Sequence, residues 1–367
     1  MYNLAQGPYT HEEVLRMLES DRTINFRYEL LDKNEIKLKD LENVSGNIRF
    51  DSSQEIMGTA ALTIREIGDV DLKTVDLRIR PFFRLKTPSG WLEYPIGTYI
   101  MSSPERSKQG SGITQQVDCY DYSTILKEDK ITTRMFVAAG TNYVTQIRSI
   151  ITAAGIRKTN IETSTLVSSK VLEFEIGTSK LDVINDLLTA INYEPLHFDN
   201  RGYAVSRRYV EPLNRRTDQS YVTNDRSIIK SGAKQSVDIY NVPNIFVRYT
   251  DDPDGAELRS EYINDSPGSV ISTVSRGRNV VDIESVDDVA DQSTLNDLVR
   301  RVAIEKSQTY DAVILPTALM PHHSYRDCIF VGENNLGVGN KYIEYAWEMD
   351  LNVGGTMTHT LKRVVKL

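Results

Sequence analysis

Five histidines, His11, His197, His322, His323 and His359, are the side chains here best suited to move a proton or ligate a transition metal near neutral pH. A zinc-hydrolase helix needs His-Glu-Xxx-Xxx-His, which puts two imidazoles on one helical face, and that spacing does not occur. His322 and His323 follow Met320-Pro321, a setting that predicts a loop, so the pair is expected to be solvated or at an interface and not to hold a metal. The text closest to a cation site is Asp251, Asp252, Asp254, Gly255 and Glu257. Clustered carboxylates attract a hard cation, but a helix-loop-helix calcium site orders its ligands differently, and an acidic β-turn is the expectation. Gly110-Ser111-Gly112 lacks the strand-to-helix elbow of a serine nucleophile, and Leu336-Gly-Val-Gly-Asn340 lacks the third glycine and following helix of a dinucleotide loop. Arg78-Ile-Arg80 and Ser206-Arg-Arg-Tyr209 are short basic patches suited to ion pairs or interfaces. No catalytic set, resident metal or cofactor is expected. A metal-dependent hydrolase would need Asp251, Asp254 and a distant histidine such as His197 or His359 to converge.

The whole chain supports the same exclusion. Its 367 residues, 40% of them hydrophobic, are enough for two or three cores. Lys plus Arg is 43 against 51 for Asp plus Glu, a net charge of -8, which argues against general affinity for nucleic-acid backbone but not against DNA passing through an acidic channel. Cys119 and Cys328 are expected to be reduced, buried thiols. No apolar run nears the roughly 20 residues of a membrane span, and the start carries no leader pattern, so synthesis and folding in the cytoplasm are expected.

The elements that would position these residues follow from periodicity. Thr10 and Glu13 have capping-box spacing ahead of a short helix through Val14 and Leu18. Alternation over Ile24, Phe26, Tyr28 and Leu30 predicts a strand; Ile36 and Leu38, then Ala60 to Ile64, then Val75 to Ile79, predict more. Phe82 to Tyr99 reads as an aromatic hairpin turning at Thr87-Pro-Ser-Gly90. The middle changes period. Helices are predicted over 142–154, ended by Gly155, and from Thr178 or Ser179 through Ile191, with a strand at 171–176 between them and a hairpin through Asp199-Asn-Arg-Gly202 after them. Strand text returns at Val237, Ile239 and Tyr240 and at Ile245 to Tyr249. Ser293 is predicted to cap a helix with Leu295, Leu298, Val299 and Val302 on its apolar stripe. In the closing hairpin Tyr345, Trp347, Met349, Leu351 and Val353 alternate up to Gly354-Gly355, and Met357, His359 and Leu361 alternate back. A hairpin of this length is expected to extend a sheet.

The run Val171 to Pro195, the following Phe198-Asp-Asn-Arg-Gly-Tyr203 and the closing Gly354 to Val364 resemble the baseplate or tail hub family of phages and phage-derived contractile particles, including the tail proteins of defective Bacillus prophages. The resemblance implies a mainly β, α+β protein. Two tail-tube-like antiparallel β-barrel domains, residues 1–130 and 213–367, would be separated by a small α+β module at 131–212. It implies a structural, non-enzymatic protein of the virion tail, assembled in the host cytoplasm. Three copies would make a pseudo-hexameric ring between the tail tube or distal tail protein and a central spike or fibre, touching other baseplate proteins. Phe82, Phe83, Trp91 and Tyr99 are then expected in the first barrel or its ring interface, Tyr345 and Trp347 at the second, and Asp251, Asp252 and Asp254 facing the lumen or a neighbour. The family often continues into a spike or wall-cleaving domain; the stop at Leu367 leads to the expectation of a separate spike or lysin chain. The competing reading is a monomeric carbohydrate- or protein-binding β module with Trp91 and Tyr94 as an aromatic platform.

Overall fold

The computed structural model of the chain describes residues 1–366 except 43, 66–75, 103–104, 110–111, 251–257 and 287. Val75, the serine of Gly110-Ser111-Gly112 and the acidic cluster from Asp251 to Glu257 therefore lie outside the described residues.

Period-2 patterning builds most of the molecule. In Gly58–Arg65, Ala60, Leu62 and Ile64 point inward while Ala61 and Arg65 face out, and the strand pairs antiparallel with Gly112–Tyr120 and Val44–Asp51. Gly46 sits in Val44–Asp51 at φ +139°, where an added Cβ would fall 2.0 Å from the Ala61 carbonyl oxygen, so only glycine fits. The aromatic hairpin forms as predicted: Arg78–Thr87 pairs with Gly90–Pro95 through a turn closed by Thr87 and Gly90. Ile36 and Leu38, predicted to alternate inward, are instead exposed, and the strand Lys37–Leu41 lies at the end of the sheet.

The two outer regions share one fifteen-stranded, largely antiparallel sheet. The link is the thirteen-residue strand Val338–Asp350. Its first six residues pair with Cys328–Glu333 and its last five with Asn47–Asp51, while Thr356–Arg363 pairs along it from Tyr342 to Met349 with an irregularity between Glu344 and Ala346. The terminal hairpin thus extends a sheet, as its length implied. Trp347 and Phe50 are direct cross-strand partners with rings stacked at 5.9 Å, and Met349, Leu351 and Met357 enter the same core as Ile48, Leu62 and Val117. Val353 departs from the alternation, since it lies in the turn and is exposed.

The middle region has its own core. Helices Tyr143–Ala153 and Lys180–Thr189 are capped by Asn142 and Ser179, whose side chains accept from the Thr145 and Asp182 amides, and Gly155 ends the first at φ +86°. Ile147, Ile151, Leu181, Ile184 and Leu188 bury between them. The strand expected at 171–176 shortens to Leu172–Phe174. Ile245–Thr250, with Arg259–Ile263 antiparallel and Val281–Val286 parallel to it, makes a separate three-stranded sheet. The helix Gln292–Ser307 covers one face of it, setting Val299 and Ala303 on Phe246. Its N-cap is Asp291, which accepts from the Thr294 amide, and not Ser293, which already lies inside the helix. No described helix is long and apolar enough to cross a membrane.

Candidate functional site

Among the described residues, the ionisable side chains that come together are His323, Glu344 and His359. Where Val338–Asp350 passes from one half of the sheet to the other, Glu344 points inward with a fully buried carboxylate. His359, from the adjacent strand, lies with Nδ1 2.5 Å from Glu344 Oε1; His323, from the loop between Asp311–Ala318 and Cys328–Glu333, lies with Nδ1 2.7 Å from Oε2. An ionised carboxylate only accepts, so each ring presents Nδ1–H to it. The remaining nitrogens meet hydroxyls: Tyr221 Oη is 2.7 Å from His323 Nε2 and Thr317 Oγ1 is 2.9 Å from His359 Nε2. With the two hydroxyls donating, every hydrogen-bonding group of the network is satisfied.

The charged form of Glu344 is the one this arrangement favours. Burial works against the Glu344 charge, yet His323 and His359 outweigh it and hold the carboxyl at about 2. Burial lowers His359 below the ordinary histidine value, and Glu344 only partly offsets it. His322 is fully buried, neither ring nitrogen has a hydrogen-bond partner, and burial together with His323, His11 and the Met1 amino group drives its pKa well below the ordinary range. The expectation of a solvated or interfacial pair at 322 and 323 is therefore corrected. The pair does sit in a loop, but residues 1–18 pack over it, and the Tyr2 amide donates to the His322 carbonyl at 2.9 Å.

Chemically, the Thr317–His359–Glu344 line has the order nucleophile, base and orienting carboxylate. Among the described residues Thr317, His359 and Glu344 are each at most 1% exposed, and the clefts at 172–174 with 186–189 (about 420 Å³) and at 33–35 with 154–158 (about 760 Å³) are lined by other residues. His323, Glu344 and His359 are also metal-ligating types gathered in one place. Their 2.5 and 2.7 Å nitrogen–oxygen contacts are hydrogen-bond lengths, whereas donors around one zinc ion at bonds of about 2.0 Å stand about 3.3 Å apart. The set is a closed proton network that does not fit an ion.

A second buried charge cluster lies beside it. Glu305 accepts from Arg301 at 3.1 Å and Arg326 at 2.5 Å; burial opposes its charge and the two guanidinium groups overcome it, keeping the carboxyl below its usual value. Arg301 also donates to the Tyr193 carbonyl at 2.6 Å, so the cluster ties the 292–307 helix to the middle module. His197 stacks on Tyr325 at 4.2 Å, buried and lowered to about 4 by desolvation.

The aromatic residues expected at interfaces divide. Phe83, Tyr99, Tyr345 and Trp347 are consumed by the chain's own packing, while Phe82 and Trp91 stay half-buried with the guanidinium groups of Arg27 and Arg84 over their rings at 4.2 and 4.7 Å. A Trp91–Tyr94 sugar platform does not form: residues an odd number apart on a strand face opposite ways, and Tyr94 is buried with its hydroxyl donating to the Leu4 carbonyl. Both cysteines are free and buried, as expected. His359 fell on an inward position of the predicted hairpin. Glu344 was missed, although a carboxylate amid the aromatic and apolar residues of Tyr342 to Met349 is itself a signal for a buried partner.

No protein-family model matches the chain, and no curated protein matches it. Solved structures do. A tail protein from Neisseria meningitidis MC58 superposes with a TM-score of 0.67 at 10% identity over 92% of this chain and 97% of that one. The 43 kDa tail protein of prophage MuSo2 from Shewanella oneidensis gives 0.67 at 10% over 93% and 98%. A chain of the Francisella PdpA–VgrG complex gives 0.53 at 10%, covering 95% of this chain and 59% of that one. At these identities the likeness is one of architecture, and it extends over nearly the whole chain: this protein has the mainly β fold of phage tail proteins.

Proposed function

We propose that the chain is a structural hub of a phage-type tail, three copies of which close into a ring that joins the tail tube to a central spike or fibre. The observation that carries this reading is the single sheet spanning both outer regions, with the strands Lys37–Leu41 and Lys234–Val237 at its two ends. Each end strand lacks a partner on its outer side among the described residues, and each is accompanied by exposed apolar side chains, Ile36 and Leu38 at one end and Val237 and Tyr240 at the other. Open edges are sites for pairing with another chain, and a head-to-tail contact between two different edges generates a closed ring when the rotation permits. The fold shared with two tail proteins supports the tail location, and the fold shared with a chain of the PdpA–VgrG complex supports a spike partner. Nothing in the buried network requires a substrate, in keeping with a non-enzymatic role.

Engineered cysteines at the two ends test the ring. Because Cys119 and Cys328 are buried, Leu38→Cys and Val237→Cys in one chain would supply the accessible thiols. Under mild oxidation the double variant is expected to give covalent trimers on a denaturing gel, and each single variant none. Only monomers from the double variant, at concentrations where the wild type is assembled, would sink the edge-to-edge reading.

A further inference from the structure

We propose that the 321–327 loop and the N-terminal segment packed over it form an acid-released latch, with His322 as the proton-sensitive residue. Several bonds close the latch at neutral pH. The Tyr2 amide donates to the His322 carbonyl at 2.9 Å, the Met1 amino group lies 2.5 Å from Asp327, and the Ser324 amide donates to Asp327 at 2.7 Å. From the middle module, Asn200 Nδ2 donates to the carbonyls of Pro321 and His323 at 3.1 and 3.2 Å. One loop therefore ties three parts of the chain together.

His322 is the weak point of this joint because a proton there has nowhere to go. Both of its ring nitrogens are buried without partners, and the groups facing it are His323 at 5.1 Å and His11 at 6.0 Å between ring centroids, the Met1 amino group and, farther off, His359. None of these is a carboxylate that could balance a charge on the ring. The carboxylates on the same side are engaged: Glu344 by His323 and His359, Asp327 by the Met1 amine and the Ser324 amide. On the N-terminal helix side, Glu19 and Arg22 face Tyr221, and the His11 Nδ1 accepts from the Leu4 amide at 3.2 Å. His359 differs in having an outlet. If its Nε2 takes a proton, the Thr317 hydroxyl can turn to the Ala318 carbonyl at 2.9 Å and accept from the ring. His322 has no such alternative, so its protonation requires water, and water enters only when the latch lifts.

The sign follows from linkage. A histidine held below its unfolded value of about 6.5 takes up its proton more readily in the open state, so the closed latch loses stability as pH falls below about 6.5. Amide hydrogen exchange of the full chain at about pH 7.5 and about pH 5, corrected for intrinsic rates, tests this directly. Residues 2–18 and 319–327 are expected to lose protection at least about tenfold at the lower pH, while the helices 143–153 and 180–189 do not. His322→Phe, which fills the site and removes the proton acceptor, is expected to keep the latch protected at the lower pH. Equal protection of the wild-type latch at both pH values, or an identical loss in His322→Phe, overturns the proposal. Should that variant fail to fold, C2–H exchange of the wild-type histidines decides. His322 is expected to be the slowest of the five, accelerating only as the latch amides open; an ordinary titration of His322 with the latch still protected refutes the idea.

Discussion

Replacing Glu344 with Gln keeps the shape of the side chain and removes the charge on which the buried network depends. The amide oxygen can still accept from one imidazole, but the amide nitrogen then faces the Nδ1–H of the other, 2.5 to 2.7 Å away in the wild type. One charge-assisted hydrogen bond is lost, about 1.5–3 kcal/mol, and a buried donor is left without an acceptor, about 1–3 kcal/mol. Together these come to about 2.5–6 kcal/mol, a range that brackets the usual cost, about 3–5 kcal/mol, of removing one partner from a buried ionic cluster. Because the Glu344 carboxyl is held at about 2 against an unfolded value of about 4.5, its contribution is complete above about pH 4.5 and is lost progressively as pH falls from there to about 2. Urea unfolding followed by tryptophan fluorescence suits the measurement. In a Trp91→Phe background the signal comes from Trp347, the cross-strand neighbour of His359. At neutral pH the Glu344→Gln transition at the seam is expected to move by at least about 3 kcal/mol. A change under about 1 kcal/mol would refute the assignment of Glu344 as an ionised, doubly bonded group.

Trp347→Ala removes the ring stacked on Phe50 where the two halves of the sheet pair, and should cost about 3–5 kcal/mol by denaturant unfolding, with Phe50→Ala and the double variant showing clear non-additivity. Gly46→Ala forces a methyl onto the Ala61 carbonyl oxygen and should yield little soluble protein, whereas Gly140→Ala, whose Cβ meets nothing within 4 Å, should be far milder despite its positive φ. Thr10→Ala removes the hydroxyl bonded to the Glu13 amide and should lower stability by about 1 kcal/mol, visible as faster amide exchange in His11–Leu18. His197, lowered to about 4 by burial against Tyr325, should stay neutral in the folded chain, so stability contributed at this site falls as pH drops from about 6.5 towards 4, and His197→Phe should flatten that part of the pH profile.

Much of this fold was legible wherever local periodicity and burial coincide. The Thr10–Glu13 capping box, the two helices of the middle module, the Thr87–Gly90 turn and the closing hairpin all form where their patterns predicted. The departures have physical causes at particular residues. Ile36 and Leu38 alternate like core residues but flank a sheet edge, a fact set by which strand ends the sheet and not by the strand itself. His322 and His323 read as solvated because a loop after Met-Pro usually is; their burial depends on residues 1–18, more than 300 positions away in the chain. Glu344 meets His359 across the paired strand 356–363 and His323 from the loop before 328, long-range contacts that no local pattern encodes. Burial of an ionisable side chain in an aromatic strand was the visible clue, and its partners were not.

The most direct test of the hub reading is the absolute mass of the chain in solution, by light scattering over a wide concentration range, with particle images of the main peak. A species of three copies with a central opening and six lobes is the predicted result; a strict monomer at every concentration, alone and with the tail tube protein of its own particle, would contradict it.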